Sequence, residues 1–145
     1  MATRADSWHS RLMTHDIRDE DYETLAAFRY QLRRFLSFSE KAATQAGLSA
    51  QQYQALLAIR AGVGGVMRVG ELAERLLLRP HSATGLIDRL EKLGVVRRDA
   101  GSEDKRQIRV ALTPDGEAIL ASLAATHREE LRRIRPLLTE AFAKF

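Results

Sequence analysis

The chain has 145 residues, of which 45% are hydrophobic and 29% are charged, and its formal net charge is +4. This length and balance predict a single globular domain that can bury a core, and the basic charge weakly favours a polyanionic partner. The absence of cysteine excludes disulfides, thiolate catalysis, thiolate metal sites and thiol-based redox sensing.

Hydropathy along the chain argues against a membrane protein. No apolar run reaches the roughly 18 residues that a membrane-spanning helix needs. The first residues, about 1–20, form a polar lead-in without the apolar centre of a signal peptide. We therefore expect a cytoplasmic chain with no membrane partner.

The first helix is predicted from about Asp21 to Ala46. Its apolar side chains recur at spacings of three and four: Leu25, Phe28, Leu32 and Phe35. This single seam either faces the core of the chain or is shared with a second subunit.

A second helix is predicted to follow Gly47. Ser49 and Gln52 have the spacing of a capping box, in which each side chain bonds the backbone of the other residue. The glycine-rich stretch from Ala61 to Gly65 ends this helix, and Val66–Arg68 is interpreted as a short strand.

Two short helices are then predicted on either side of a break, from about Gly70 to Leu78 and from about His81 to Leu93. Proline lacks an amide donor and disfavours a helical predecessor, so Arg79-Pro80 marks the break. The residues predicted to be buried are Leu72, Ala73, Leu76, Ala83, Leu86, Ile87, Leu90 and Leu93. Gly94 is placed as the C-terminal cap of the second helix.

A hairpin and a long helix complete the chain. Val95 and Val96 begin one strand, and a half-buried strand is predicted in which Ile108, Val110 and Leu112 alternate with Gln107, Arg109 and Ala111. A polar loop, residues 99–104, joins them. Thr113 and Pro114 are typical of a helix start. The apolar pattern of this last helix is carried by Leu120, Leu123, His127, Leu131, Ile134 and Leu138, and Pro136 is expected to kink or end it.

This order of elements outlines a winged helix-turn-helix, whose second helix lies in the DNA major groove. The candidate DNA-binding residues are Arg79, His81, Ser82, Thr84, Arg89, Arg98, Lys105 and Arg106. Two of them have alternative explanations, since Ser82 has the position of a helix cap and Arg89 is able to form an internal ion pair. The cations of the hairpin either contact DNA or form a solvated loop. Arg106 suits a narrow minor groove, and Asp104 is placed to orient a nearby arginine.

Three segments resemble the multiple-antibiotic-resistance regulator (MarR) family: ELAERL from Glu71, LIDRLEKLGVVRR from Leu86, and DKRQIRVALTPDG from Asp104. The resemblance implies a mainly α fold with a small antiparallel β wing, in which a winged helix-turn-helix lobe accompanies a helical dimerisation lobe. In one MarR-like domain, residues of about 66–113 would form the first lobe, and residues of about 21–60 and 114–145 the second.

The resemblance also implies function: a homodimer that binds double-stranded DNA at a pseudo-palindromic operator, usually as a repressor released by a small ligand. It places Arg106 at the wing tip, in the minor groove, with Asp104 as its structural neighbour. The dimerisation residues implied are Leu25, Phe28, Leu131, Ile134 and Leu138. At Gly85 the sequence departs from the long polar residue common in the family, so base preference is not carried over.

Other sites have less support in the sequence. Tyr30, Arg33, Phe38 and Tyr53 either line a pocket for an aromatic or phenolic ligand or are ordinary core residues. The four histidines are too scattered for a zinc site, and we expect no metal and no cofactor. An enzyme is disfavoured because the chain has no phosphate-cradling glycine loop and no nucleophile–base pattern. A winged helix that binds protein rather than DNA remains the alternative function.

Overall fold

The computed structural model describes residues 16–99 and 107–145. The predictions for Asp104, Lys105 and Arg106, and those for the lead-in up to residue 15, lie outside the described residues. The described helices are α1 (Asp19–Gln45), α2 (Ala50–Ala61), α3 (Val69–Arg75), α4 (Pro80–Lys92) and α5 (Pro114–Phe142). A 3-10 turn (Val63–Gly65) precedes β1 (Val66–Arg68), and β2 (Val96–Asp99) and β3 (Arg109–Leu112) lie between α4 and α5. The prediction of a mainly α fold with a small antiparallel wing is confirmed.

The chain divides into two compact units. The first contains Met1–Arg34 and Arg132–Phe145, and the second contains Phe35–Leu131. The boundaries therefore fall within α1 and α5, whereas the resemblance implies lobes that meet at about residues 60–66 and 113–114. Every element of the helix-turn-helix and the wing belongs to the second unit.

Local signals set the ends of α1 and α2. Gly47 has φ of 84°, and the following amide of Leu48 donates to the Ala43 carbonyl at 2.9 Å, which closes the last turn of α1. The predicted capping box of α2 is confirmed: the Gln52 amide donates to Ser49 Oγ at 3.0 Å, and the Ser49 amide donates to Gln52 Oε1 at 2.9 Å.

The break between α3 and α4 begins earlier than predicted. α3 ends at Arg75 rather than near Leu78, because Leu77 adopts φ of 55° and the Leu78 amide turns back to the Ala73 carbonyl at 2.8 Å. Pro80 is the first residue of α4, where its missing amide has no helical partner to lose.

The far end of α4 corrects a second prediction. Leu93 is 50% exposed instead of buried, because α4 ends at Lys92 and the chain turns at Gly94, which has φ of 74°. The predicted capping role of Gly94 is confirmed, since its amide donates to the Glu91 carbonyl at 2.9 Å.

The wing is a three-stranded antiparallel sheet in the order β1-β3-β2. Met67 and Arg98 both pair with Val110 of the central strand. Ala111 was expected on the outer face, but it is only 9% exposed. As part of the central strand it has neighbours on both edges, and these cover a small side chain.

One hydrophobic core holds the second unit together. Its largest fully buried side chains are Leu56, Ile59, Leu72, Leu86, Ile87, Leu90 and Val110. Their origin in α2, α3, α4 and β3 means that the same apolar cluster fixes both helices of the helix-turn-helix and the base of the wing.

The start of α5 is capped as predicted, since the Gly116 amide donates to Thr113 Oγ1 at 3.1 Å. Thr113 Oγ1 in turn donates to the Gly94 carbonyl at 2.6 Å, which joins α5 to the end of α4. Pro136 was expected to kink or end the helix, and an end is excluded because α5 continues to Phe142. Pro136 lacks an amide donor and so removes one backbone hydrogen bond. The helix continues because the fixed φ of proline is compatible with a helix.

Candidate nucleic-acid interface

Helix α4 presents a polar face opposite its buried one. Ala83, Leu86, Ile87 and Leu90 turn into the core. A helix advances 100° per residue, so His81, Gly85, Asp88 and Lys92 share the opposite side. Of these, the side chains of His81, Asp88 and Lys92 are exposed. This side of α4 is therefore open to solvent along the helix.

Two hydroxyl side chains lie in the first turns of α4. The N-cap position is Arg79, and no side chain caps the helix there, so the alternative role of Ser82 as a cap is wrong. Thr84 Oγ1 donates to the Pro80 carbonyl at 3.2 Å, within the helix itself. Both residues are half-buried and lie beside the exposed face.

Several arginines of the helix-turn-helix and the wing are exposed. Arg79 is exposed at the N-cap of α4, Arg89 is exposed within α4, and Arg97 is exposed on β2. The alternative of an internal ion pair for Arg89 is not seen among residues 16–99 and 107–145. Its guanidinium lies next to Gly85 instead, 3.5 Å from where a Cβ at that position would be.

Arg98 differs from these arginines because internal partners hold its guanidinium. Its Nη2 lies 2.6 Å from Asp88 Oδ1, and its Nη1 contacts Glu91 Oε1. Only 24% of its side chain is exposed. Arg98 was predicted to bind DNA, and Asp88 and Glu91 were not singled out at all. The sequence did contain a signal for these internal partners: two acidic residues, three apart on one predicted helix, lie within an otherwise basic motif.

At the base of the wing, Arg68 Nη1 donates to Gln107 Oε1 at 3.0 Å, which joins the end of β1 to the residues leading into β3. Arg109 is exposed on β3. The tip residues Lys105 and Arg106 lie outside the described part of the chain, so their DNA contacts stay predictions.

Comparison with known proteins agrees with this geometry. The model of the MarR family matches residues 46–107. The transcriptional activatory protein BadR of Rhodopseudomonas palustris is 31% identical over 119 residues, which cover 79% of this chain and 68% of BadR.

The chain belongs to the MarR family.

Two other comparisons define how far the likeness extends. The transcriptional repressor MdtR of Bacillus subtilis is 32% identical over 76 residues, 52% of this chain and 49% of MdtR. The crystal structure of a MarR-family regulator from Silicibacter pomeroyi covers 81% of this chain and 80% of that chain, at 26% identity and a TM-score of 0.62. Apart from BadR, the chain spans about half the length of the first curated relatives that it matches.

The dimerisation residues implied by MarR membership differ in their exposure. Leu25 and Leu131 are about half exposed, and Phe28 packs on Phe142 with ring centroids 5.4 Å apart. Leu138 is half-buried. Ile134 is only 3% exposed and therefore offers little surface to a second subunit.

The four residues predicted to line a ligand pocket have different surroundings. Tyr30 and Arg33 are exposed, and the Arg34 guanidinium lies 5.8 Å from the Tyr30 ring centroid. Phe38 and Tyr53 instead pack against the buried His127. Burial also raises the pKa of the Tyr53 phenol.

The described residues also bear on a metal site and on a membrane span. Among residues 16–99 and 107–145, no group of three or more potential metal-ligating side chains is assembled. Within that part of the chain, no helix combines the length and the apolar character needed to cross a membrane.

Proposed function

We propose that this chain is a transcriptional regulator that binds double-stranded DNA as a homodimer at a pseudo-palindromic operator. The observation that carries the proposal is the exposed polar face of α4, which starts at the helix N-terminus with His81 and is flanked by Arg79 and Arg89. In a helix-turn-helix, the N-terminal residues of the second helix lie against base edges.

The proposed contacts follow from the chemistry of these side chains. Arg79 and Arg89 would neutralise phosphates, which fixes the register of the protein on the duplex. His81, Ser82 and Thr84 would approach base edges or phosphates. The wing residues Lys105 and Arg106 would reach the neighbouring groove, where a narrow minor groove attracts guanidinium. Asp104 would orient one of these cations.

Exposed apolar side chains support the homodimer. Within the described part of the first unit, the large exposed hydrophobics are Ile17, Tyr22, Leu25, Tyr30, Leu32, Leu137, Phe142 and Phe145. We take these side chains as the candidate subunit interface, because large exposed apolar patches mark protein–protein interaction sites. A twofold-symmetric dimer would cover it and would present two copies of α4 to one DNA face.

The finer proposal is repression that is relieved by a small aromatic or phenolic ligand. Its support is membership of the MarR family together with the repressor MdtR among the relatives. BadR is an activatory protein, so a promoter-reporter assay must decide the sign of the response. A phenolic acid such as 4-hydroxybenzoate, titrated into the protein–DNA complex, should release the DNA. An unchanged complex at saturating ligand would contradict this part of the proposal.

The experiment that tests DNA binding is selection of bound duplexes from a random pool at stated salt. We expect a palindromic site with half-sites about one helical turn apart. Binding should weaken steeply as salt increases, because phosphate contacts release counterions. Analytical ultracentrifugation should show a dimer. Recovery of no enriched duplex at low salt would contradict the proposal and would favour a protein-binding winged helix.

A further inference from the structure

We propose that Arg98 is a positioning residue for DNA recognition, which acts through α4 rather than by touching DNA. It fixes wing strand β2 against one flank of α4 and neutralises the carboxylates of Asp88 and Glu91. This inference rests on the proposed DNA-binding function, and it changes the role that the sequence suggested for Arg98.

The geometry of the contacts is that of a clamp. Besides its ion pairs with Asp88 and Glu91, Arg98 Nη2 donates to the Thr84 carbonyl at 3.4 Å. These three partners are separated by four and three residues, so they form one row along α4. A planar guanidinium presents several donors in fixed directions and can therefore hold such a row, as a lysine ammonium cannot.

The position of Arg98 on the sheet explains why it faces α4. Arg98 pairs with Val110 and Arg97 pairs with Ala111 on β3. Successive strand residues point to opposite faces, so Arg98 is turned toward the helix while Arg97 is exposed. A phosphate would have to compete with two carboxylates for the guanidinium of Arg98, but not for that of Arg97.

Charge gives the clamp a second effect. Asp88 lies in the middle of the exposed face of α4, and 54% of its side chain is exposed. A bare carboxylate there would repel the phosphates of a bound duplex. Arg98 lowers this repulsion because its positive charge lies 2.6 Å from Asp88 Oδ1.

The clamp and a direct phosphate contact by Arg98 predict opposite changes in DNA affinity for one variant. Asp88→Asn combined with Glu91→Gln removes two negative charges from the DNA-facing side. If Arg98 bound phosphate directly, this change would free it and DNA affinity would increase. If Arg98 positions α4, affinity for the selected duplex should fall about 3- to 30-fold despite the more positive surface.

The experiment measures dissociation constants for the full chain with the selected duplex and with a scrambled duplex of equal length. Arg98→Gln is compared with Arg97→Gln, which removes the same charge from the neighbouring exposed position. Arg98→Gln should lower affinity for the selected duplex about 3- to 30-fold. It should lower affinity for the scrambled duplex by a smaller factor, because there only the lost neutralisation of Asp88 acts. Arg97→Gln should change both affinities by the same factor. Combining Arg98→Gln with the two acidic substitutions should give no further loss.

The outcomes separate the inference from the function on which it rests. If the unmodified chain fails to bind the selected duplex, the proposed function fails. If it binds but the acidic double variant binds more tightly, or if Arg98→Gln weakens both duplexes equally, the clamp is wrong. Thermal melting identifies any variant that does not fold. If Arg98→Gln does not fold, the acidic double variant still decides between the clamp and a direct phosphate contact, because the two predict opposite changes in its DNA affinity.

Discussion

The imidazole of His127 stacks on the phenol ring of Tyr53, with ring centroids 4.3 Å apart and an interplanar angle of 16°. Phe35 and Phe38 meet the same imidazole edge-on at 5.9 and 5.6 Å. Such ring pairs add to the stability gained from burial alone. His127 thus lies at the centre of an aromatic cluster inside the second unit.

Both nitrogens of His127 have partners, and this arrangement predicts the effect of losing one. A carbonyl oxygen only accepts, so Nδ1 donates to the Leu123 carbonyl at 2.7 Å, and Nε2 is left to pair with Ser39 Oγ at 2.8 Å. Ser39→Ala would leave Nε2 buried and unpaired. We expect a loss of about 1–3 kcal/mol in the free energy of unfolding, measured by urea denaturation.

Ser37→Ala is the matched control for this prediction, because Ser37 is an exposed serine on the same helix. It should change the free energy of unfolding by less than about 0.5 kcal/mol. Equal effects of the two substitutions would show that the hydrogen bond to His127 contributes nothing measurable.

Burial of Tyr53 predicts a loss of stability at alkaline pH. Desolvation raises its pKa above 10.0, so the folded chain keeps the phenol protonated where the unfolded chain ionises it. The stabilisation is complete below the unfolded pKa and is lost as pH rises through the folded pKa. Between about pH 9 and pH 11, the free energy of unfolding measured by urea denaturation should decrease less for Tyr53→Phe than for the unmodified chain. Tyr30→Phe, at an exposed tyrosine, should show the same decrease as the unmodified chain.

Leu77 predicts a substitution that stabilises the turn between α3 and α4. It has φ of 55° and is 93% exposed, so it carries backbone strain without burying its side chain. The left-handed conformation costs a non-glycine residue about 1–2 kcal/mol. Leu77→Gly should therefore raise the free energy of unfolding by about 0.5–1 kcal/mol after the greater unfolded entropy of glycine is counted. Leu77→Val should lower it, since β-branched residues tolerate this conformation worst.

Two glycines in helices predict opposite responses to alanine. At Gly85 of α4, a Cβ would meet only the Arg89 guanidinium, at an ordinary 3.5 Å. Gly85→Ala should stabilise the chain by about 0.8–1 kcal/mol. At Gly116 of α5, a Cβ would overlap the backbone carbonyl of Val95. Gly116→Ala should destabilise it by about 1–3 kcal/mol or more. Thermal melting of both variants measures the contrast, and a shift in the same direction would disprove the close approach of α5 to Val95.

Most of the fold follows from signals that are local in the sequence. The capping box at Ser49, the helix start at Thr113 and the turn at Gly94 depend on side chains and backbone within a few residues of each other. The spacing of apolar residues also gave most of the buried face of α4 correctly. These signals fixed the order of the elements and the position of the candidate DNA-binding helix.

Features that depend on tertiary contacts were less predictable. The sequence contains the charges of Arg98, Asp88 and Glu91, but only the packing of β2 beside α4 shows that they neutralise one another. The break at Leu77 was placed too late because a left-handed leucine has no sequence signature comparable with glycine. Leu25 is likewise 49% exposed although it lies on the apolar seam of α1, and the spacing of apolar residues alone does not say which of them a single chain covers.

Arg106 predicts the strongest single effect on DNA binding. Its guanidinium is proposed to enter the minor groove, where the negative potential of the DNA is concentrated. Arg106→Ala should weaken binding to the selected duplex by about 1–3 kcal/mol, measured by fluorescence anisotropy at fixed salt. Arg106→Lys should recover only part of the loss, because a lysine ammonium lacks the planar guanidinium group.

Lys41→Ala controls for net charge, since Lys41 is exposed on α1, away in the sequence from the helix-turn-helix and the wing. It should change affinity only slightly. If Arg106→Ala has no larger effect than Lys41→Ala, the wing does not reach the DNA and binding depends on α4 alone. The loss of affinity caused by Arg106→Ala should also be compared at low and high salt. If this loss vanishes at high salt while the preference for the selected duplex persists, Arg106 contacts a phosphate and does not recognise the width of the minor groove.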